Sequence, residues 1–348
     1  MKFSDAINDA MKVAMRQDPK VLCYGLGVDD PKRIFGTTQG LVEEFGPERV
    51  FDMPTAENAM TGVAVGAALA GYRSVCVHQR VDFFLLAMDQ MINSAAKWHY
   101  MFGGQNSVPI TIRLVIGRGW GQGPTHSQAL HSWFAHIPGL KVVMPTNAED
   151  AKGLLLESIF DENPVVFLEH RWLHNMEGEV PEGDFRIPLG KARLAHQGDD
   201  VTIVSNSFMT VEALHAADHM KAQGIGCDVV DLRTVRPLDW DAVFSSVKRT
   251  GRLLVLDIGA PMASVSSEII ARVAMEMPGA LKAPPQRLCL PDRSQPTSPA
   301  LTKHFYPGPS EVIDAISTLT GKTIEKDSLL AQQTWAHDVP GTWFNGPF

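Results

Sequence analysis

Asp52-Met53-Pro54-Thr55-Ala56-Glu57-Asn58-Ala59-Met60-Thr61-Gly62, continuing Val63-Ala64-Val65-Gly66-Ala67-Ala68-Leu69-Ala70-Gly71, is the stretch on which the reading of this chain turns. One carboxylate opens a run that is otherwise small and apolar. Such a run is expected to bury both its faces and Glu57 with them. A buried, unpaired carboxylate is costly and persists where it has a fixed partner. Taken alone, Glu57 also suits the first turn of a helix, where the macrodipole favours an acid.

Outward from this stretch the pattern alternates strand and helix. Val21 to Leu26, Arg73 to Val77, Ile110 to Ile116, Lys141 to Met144 and Val165 to Leu168 read as strands. Ala56 to Ala70 reads as a helix, and Phe83 to Tyr100 carries Met88, Met91, Ile92 and Ala95 on one helical stripe. From about His170 to Asp200 the chain is rich in Glu, Gly and Pro and loses its period, as a linker would. Beyond it, strands at 201–204, 227–230 and 253–256 alternate with helices at about 210–223, 239–248 and 263–276. The expected fold class is therefore α/β with two parallel-sheet domains. The expected divisions are a first domain over 1–180, a linker over 181–200, a second domain over 201–322 and an aromatic tail over 323–348.

At 348 residues the chain is long enough for about two cores. Its net charge of −8 argues against nucleic acid or an anionic membrane as partner. Cys23, Cys76, Cys227 and Cys289 stand singly, without the paired spacing of a metal site or redox dithiol, and read as free thiols in a reducing compartment. No leader or membrane-spanning run is read in the sequence, so a cytoplasmic enzyme is expected.

Further motifs follow in a fixed order: Asp82-Phe83-Phe84, then Ala87 to Lys97, Thr125-His126-Ser127-Gln128, Pro138 to Pro145, Asn163 to Glu169, and Asp231-Leu232-Arg233-Thr234-Val235-Arg236-Pro237-Leu238-Asp239. Together with the Glu57 stretch they resemble the β subunit of the thiamine-diphosphate-dependent 2-oxo acid dehydrogenases (pyruvate, branched-chain and acetoin types), a family that shares its fold with transketolase. The resemblance runs from about Met1 to about Leu319. It implies a transketolase-like pyrimidine-binding domain followed by a transketolase C-terminal-like domain.

The resemblance also implies roles. Glu57 would hydrogen-bond the cofactor's aminopyrimidine and so promote loss of the thiazolium proton. Phe83 would stack on that ring, and Gln79 would line the same pocket. His126, at the end of the glycine-rich segment Gly117 to Pro124, would be the active-centre histidine, placed to donate to developing charge or move a proton. Arg118 and Trp120 depart from the family's usual loop. Ile110, Ser158, Asp161 and Asn163 match positions where family members bind a structural potassium ion, largely through backbone carbonyls. Ordinary turn chemistry explains Asp161 and Asn163 equally well.

The family's diphosphate and magnesium motif, Gly-Asp-Gly with a later asparagine pair, has no counterpart here. Gly183-Asp184 and Gly198-Asp199 are followed by Phe185 and Asp200. The chain is thus expected to grip only the pyrimidine end, with a separate α subunit holding the diphosphate and its magnesium. The usual assembly would be two α and two β chains, able to dock on a lipoyl acyltransferase core. The expected reaction is decarboxylation of a 2-oxo acid and transfer of the acyl unit to lipoamide. Two alternatives stand beside it. One is a subunit of a split transketolase-like or acyloin-forming enzyme that uses an aldehyde or sugar acceptor. The other is an assembly subunit with a decayed site. The tail, with Trp335, Trp343, Phe344 and Phe348, is expected to pack rather than hang in water, because exposed aromatics form an apolar liability.

Overall fold

The computed structural model describes residues 1–117, 121–332, 339, 341 and 342. Arg118 and Trp120 of the glycine segment, and Trp335, Trp343, Phe344 and Phe348 of the tail, lie outside the described residues. The chain divides into two compact units, the first built from residues 1–117 and 125–189 and the second chiefly from 190–332.

The first unit opens with α1 (Phe3–Gln17), whose Phe3, Ile7, Met11 and Met15 recur every four residues and are fully buried. Each such side chain contributes about 1.5–3 kcal/mol of transfer free energy. That face packs along α7 (Ala148–Phe160), and Lys152 of α7, itself buried, pairs with Asp9 of α1 at 2.7 Å. The strands of this unit are β1 (Val21–Gly25), β2 (Val50–Asp52), β3 (Arg73–His78), β4 (Ile110–Ile116), β5 (Lys141–Val143) and β6 (Val165–His170). They are neighbours in the order β5-β6-β4-β3-β1-β2, all parallel, with Tyr24 opposite Cys76 and Val77 opposite Arg113. Helices cover a parallel sheet on both faces, which is why every residue of β4 and β6 is buried.

The remaining helices are α2 (Leu41–Phe45), α3 (Glu57–Leu69), α4 (Val81–Phe84), α5 (Ala96–Met101) and α6 (His131–His136). Two sequence expectations need correction here. Within this chain α3 buries one face only: Met60, Ala64, Val65 and Ala68 are covered, while Val63 is 52% exposed. A helix lying on one sheet has neighbours on one side, and small residues do not change that. The stretch from Phe83 to Tyr100 is not one regular helix either. It winds through a 3-10 turn at Leu85–Ala87 and a π segment at Gln90–Ala95 before α5. The wider π turn shifts the phase, so Ala96 is buried and Ile92 is only half-buried.

The second unit carries a five-stranded sheet in the order Gln286–Leu288, Leu253–Leu256, Val201–Ser205, Cys227–Asp231, Arg193–His196. The first four are parallel, and Arg193–His196 closes one edge antiparallel to Cys227–Asp231. That edge strand falls in the stretch without period, being too short to display one. Helices Phe208–Ala222, Trp240–Thr250, Val265–Glu276 and Pro309–Thr320 pack around this sheet. Among the described residues no helix is long and apolar enough to cross a membrane. All four cysteines are free, three of them fully buried.

A charge pair sits inside the first sheet. Arg113 of β4 donates to Glu169 of β6 at 2.6 and 3.1 Å, and both side chains are essentially inaccessible to water. His174 Nε2 lies 3.4 Å from the same carboxylate. Burial alone would raise the Glu169 carboxyl, but Arg113 and His174 outweigh it and hold it below its ordinary value. Burial pushes the His174 imidazole down to about 4, against the opposing pull of Glu169. A carboxyl depressed in the folded state adds stability above its unfolded value and loses it as the pH falls through the folded one. We therefore expect Glu169→Gln to cost about 3–5 kcal/mol at neutral pH, because it strands Arg113. The deficit relative to wild type should shrink as the pH is taken below 4.5. Denaturant unfolding of both proteins across that range measures it.

Candidate active site

The strand order marks where a ligand can sit. The chain leaves β1 for β2 on one side, then returns past β1 to β3 on the other. In open α/β sheets the crevice beyond the carboxyl ends of the strands at such a switch point receives ligands. A cavity of about 380 Å³ lies there. Its walls include Gly27 after β1, Asp52 and Glu57 at and after the end of β2, and Gln79 and Phe83 after β3.

Local hydrogen bonds fix these walls. Asp52 accepts from the Val28 N–H at 2.6 Å, and the Met53 N–H donates to the Gly25 carbonyl at 2.8 Å. Gln79 and Asp30 converge across Gly27, where a Cβ would fall 2.8 Å from Gln79 Nε2 and 3.0 Å from Asp30 Oδ2.

Glu57 is the first residue of α3, and Ala56 before it provides no side-chain cap. The residue is only 6% exposed, yet its carboxylate makes no hydrogen bond or ion pair among the described residues. The residue is mostly covered while its carboxylate opens on the cavity, with the helix N-terminus behind it. It lines the cavity and is available to a donor entering it.

Phe83 lies in α4 and faces the same cavity. The His126 imidazole meets its ring edge-on, with centroids 5.3 Å apart and planes at 88°. Such a pair contributes about 0.5–1.5 kcal/mol, too little by itself to order a loop. The Thr125 hydroxyl lies 3.0 Å from His126 Nδ1. Glu57, Gln79, Phe83 and His126 are therefore brought into one neighbourhood, three of them on the cavity wall and the fourth against Phe83.

Ile110, Ser158, Asp161 and Asn163 lie elsewhere, at the start of β4 and around the end of α7. The Ser158 carbonyl accepts from the Thr111 hydroxyl at 3.0 Å. The Asp161 carbonyl accepts from Arg73 at 3.1 Å, and its carboxylate pairs with Lys141 and accepts the Asn163 N–H. Among the described residues no three His, Cys, Asp or Glu side chains gather as a metal site.

Several residues near the site have no role in the sequence reading. Asp82 and Gln128 appear there only as members of motifs, but the Gln128 amide donates to Asp82 Oδ1 at 2.7 Å. The available signal was a polar residue close to each candidate aromatic, at positions 82 and 128. Arg80 is buried and donates to the Gly117 carbonyl at 3.2 Å. Burial pushes Arg80 down to about 10, against the pull of Asp82. His78 is fully buried against Phe84, neither ring nitrogen has a hydrogen bond among the described residues, and burial pushes it down to about 3.

With this geometry in place, comparison with known proteins is informative. Residues 1–176 match the family described as transketolase, pyrimidine binding domain, and residues 190–312 match transketolase, C-terminal domain. The β subunit of acetoin:2,6-dichlorophenolindophenol oxidoreductase from Bacillus subtilis is 42% identical, over 92% of this chain and 98% of its own. The pyruvate dehydrogenase E1 component subunit beta of Rhizobium meliloti is 42% identical, over 92% of this chain and 70% of its own. Among solved structures, a split-gene transketolase in an inactive β4 tetramer superposes with a TM-score of 0.74 at 22% identity, over 92% of this chain and 98% of that one. At that identity the superposition speaks to fold alone.

Gly117 tests the construction of the site's rim. Its φ is +83°, and a Cβ there would fall 2.1 Å from His170 Nε2. Gly117→Ala is expected to cost more than the roughly 1–2 kcal/mol of left-handed backbone alone, because the His170 ring must also move. Denaturant unfolding of the variant measures the sum.

Proposed function

Because the chain belongs to the β-subunit family of the thiamine-diphosphate-dependent 2-oxo acid dehydrogenases, we propose that it is the β subunit of an enzyme that decarboxylates a 2-oxo acid and transfers the acyl unit to lipoamide. The observation that carries this reading is Glu57, mostly covered, its carboxylate without a partner among the described residues, on the wall of the switch-point cavity. It fits one end of thiamine diphosphate, whose aminopyrimidine has ring nitrogen and amino groups that such a carboxylate can hydrogen-bond. When bound, the cofactor supplies a carbon nucleophile that stabilises the electron pair left by decarboxylation.

The chain's own residues do the rest. Glu57 holds the pyrimidine and governs the proton on its ring nitrogen. Phe83 provides a flat apolar wall that excludes water, and Gln79 offers an amide at the rim. His126, edge-on to Phe83, donates a proton or hydrogen bond to the oxygen on which charge develops.

A separate α subunit completes the site, holding the diphosphate and magnesium, in an assembly of two α and two β chains that serves a lipoyl acyltransferase core. The polar groups of Asp161 already have Arg73 and Lys141 as cationic partners. Potassium has no part in the proposed chemistry. Four free cysteines support a reducing compartment such as the cytoplasm.

Two experiments test the reading. The chain alone should show no tight magnesium-dependent binding of thiamine diphosphate by calorimetry, and a submicromolar affinity would contradict the shared site. In the assembled enzyme, Glu57→Gln keeps the size and removes the charge. Turnover of a 2-oxo acid with lipoamide should fall about 100-fold or more, the scale of general acid–base catalysis. Near-wild-type turnover would make Glu57 an ordinary helix-end acid, and turnover with aldehydes but not lipoamide would move the enzyme to the transketolase class.

A further inference from the structure

Four residues close a ring beside the cavity. Arg80 Nη1 donates to the Gly117 carbonyl at 3.2 Å, and the Gly117 N–H donates to the Gln128 carbonyl at 3.3 Å. The Gln128 side-chain amide donates to Asp82 Oδ1 at 2.7 Å, and the charges of Asp82 and Arg80 attract one another. The ring ties together the residues after β3, the residue after β4 and the segment that carries His126. From it we propose that Asp82 and Gln128 are positioning residues for His126: their hydrogen bond holds the imidazole edge-on against Phe83, at the rim of the cofactor cavity.

The loop itself explains why such a device is needed. Among the described residues the segment that carries His126 has a 3-10 turn at Gly123–Thr125 and no strand. Nothing periodic fixes its direction, and an aromatic edge contact is weak. The main-chain bond from Gly117 to Gln128 brings these two residues together but does not set the direction of the His126 side chain. The Gln128 side chain adds a fixed point close to it. It anchors two residues beyond His126 and grips Asp82, the neighbour of Phe83, so ring and anchor meet α4 at adjacent positions.

Asp82 suits the task because its charge strengthens the bond it accepts. Among the described residues its second oxygen, Oδ2, is buried without a hydrogen bond, so the side chain accepts from Gln128 through Oδ1 alone. Arg80, buried and two residues away, supplies the compensating charge. Gly117 keeps the ring closed, since any side chain there would strike His170.

This inference rests on the function proposed above for His126, and its test separates the two. In the holoenzyme with its α subunit, Gln128→Leu and Asp82→Leu should each lower kcat by about 10-fold or more, as a misplaced group does. Exchange of the cofactor's thiazolium proton and its apparent affinity should stay within about twofold of wild type. Asp82→Asn keeps an acceptor and should retain most activity. Gln128→Glu sets two carboxylates against each other and should be impaired, and adding Asp82→Asn to it should restore activity, because the bond re-forms with donor and acceptor exchanged. Wild-type kcat in Gln128→Leu, an equal fall in proton exchange, or no rescue by the exchanged pair would overturn the proposal.

A second readout does not depend on the reaction. In the full-length chain, the His126 ring signals in NMR should lose the ring-current shift from Phe83 in Gln128→Leu and keep it in Asp82→Asn. Unmoved signals in a folded Gln128→Leu protein would overturn the positioning role even if the enzyme is active. If the wild-type holoenzyme turns over no 2-oxo acid while the signals move as expected, the functional reading fails and the positioning role stands.

Discussion

A mostly covered carboxylate with no partner among the described residues faces the cavity at Glu57, and the first unit is arranged around that constraint. Three things allow it. The helix that begins at Glu57 offers its positive end to the charge. The apolar, small-residue body of α3 anchors the helix on the sheet through Met60, Ala64, Val65 and Ala68, so the helix start cannot rotate the acid into solvent. The sheet order opens a crevice in front of it, between the ends of β1, β2 and β3. A carboxylate that faces a cavity without a partner among the described residues is available to a donor on a bound ligand.

The same sheet handles charge in the opposite way a few strands along. Arg113 and Glu169 are more deeply buried than Glu57, but they pair with each other through hydrogen bonds of 2.6 and 3.1 Å. One pair is closed and structural, while the other carboxylate is open and faces a cavity. Between them, at the ends of β3 and β4, the ring of Arg80, Gly117, Gln128 and Asp82 joins the rigid sheet to the segment that carries His126. Rigid strands thereby set the geometry for residues that no strand carries.

Much of this was legible before the structure. Apolar runs of four to seven residues bounded by glycine and polar turns marked the strands, and the structure places strands over 21–25, 73–78, 110–116, 141–143 and 165–170. The second sheet was equally legible at 201–205, 227–231 and 253–256. The misses have physical causes. A π turn changes the helical phase without changing composition, so Ile92 and Ala96 exchange expected burial. A four-residue edge strand at Arg193–His196 is too short to show a period. The small residues of α3 imply close packing but cannot say how many sides have a neighbour.

What the sequence determined by itself was the class of structure: alternating strands and helices, two α/β sheets, and motifs whose order identifies the family. These depend on local pattern, because apolar periodicity and turn residues act over a few positions. What only the tertiary structure decided was which polar groups meet. Gln128 and Asp82 are 46 positions apart in sequence, and Arg113 and Glu169 are 56 apart. A hydrogen bond or a desolvated charge is fixed by atoms a few ångströms away, and the chain brings those atoms together only when the sheet has formed. Whether Arg113 is a paired core residue and whether Glu57 is an unpaired one could not be read from their neighbours in sequence, because burial and partnership are properties of the folded neighbourhood.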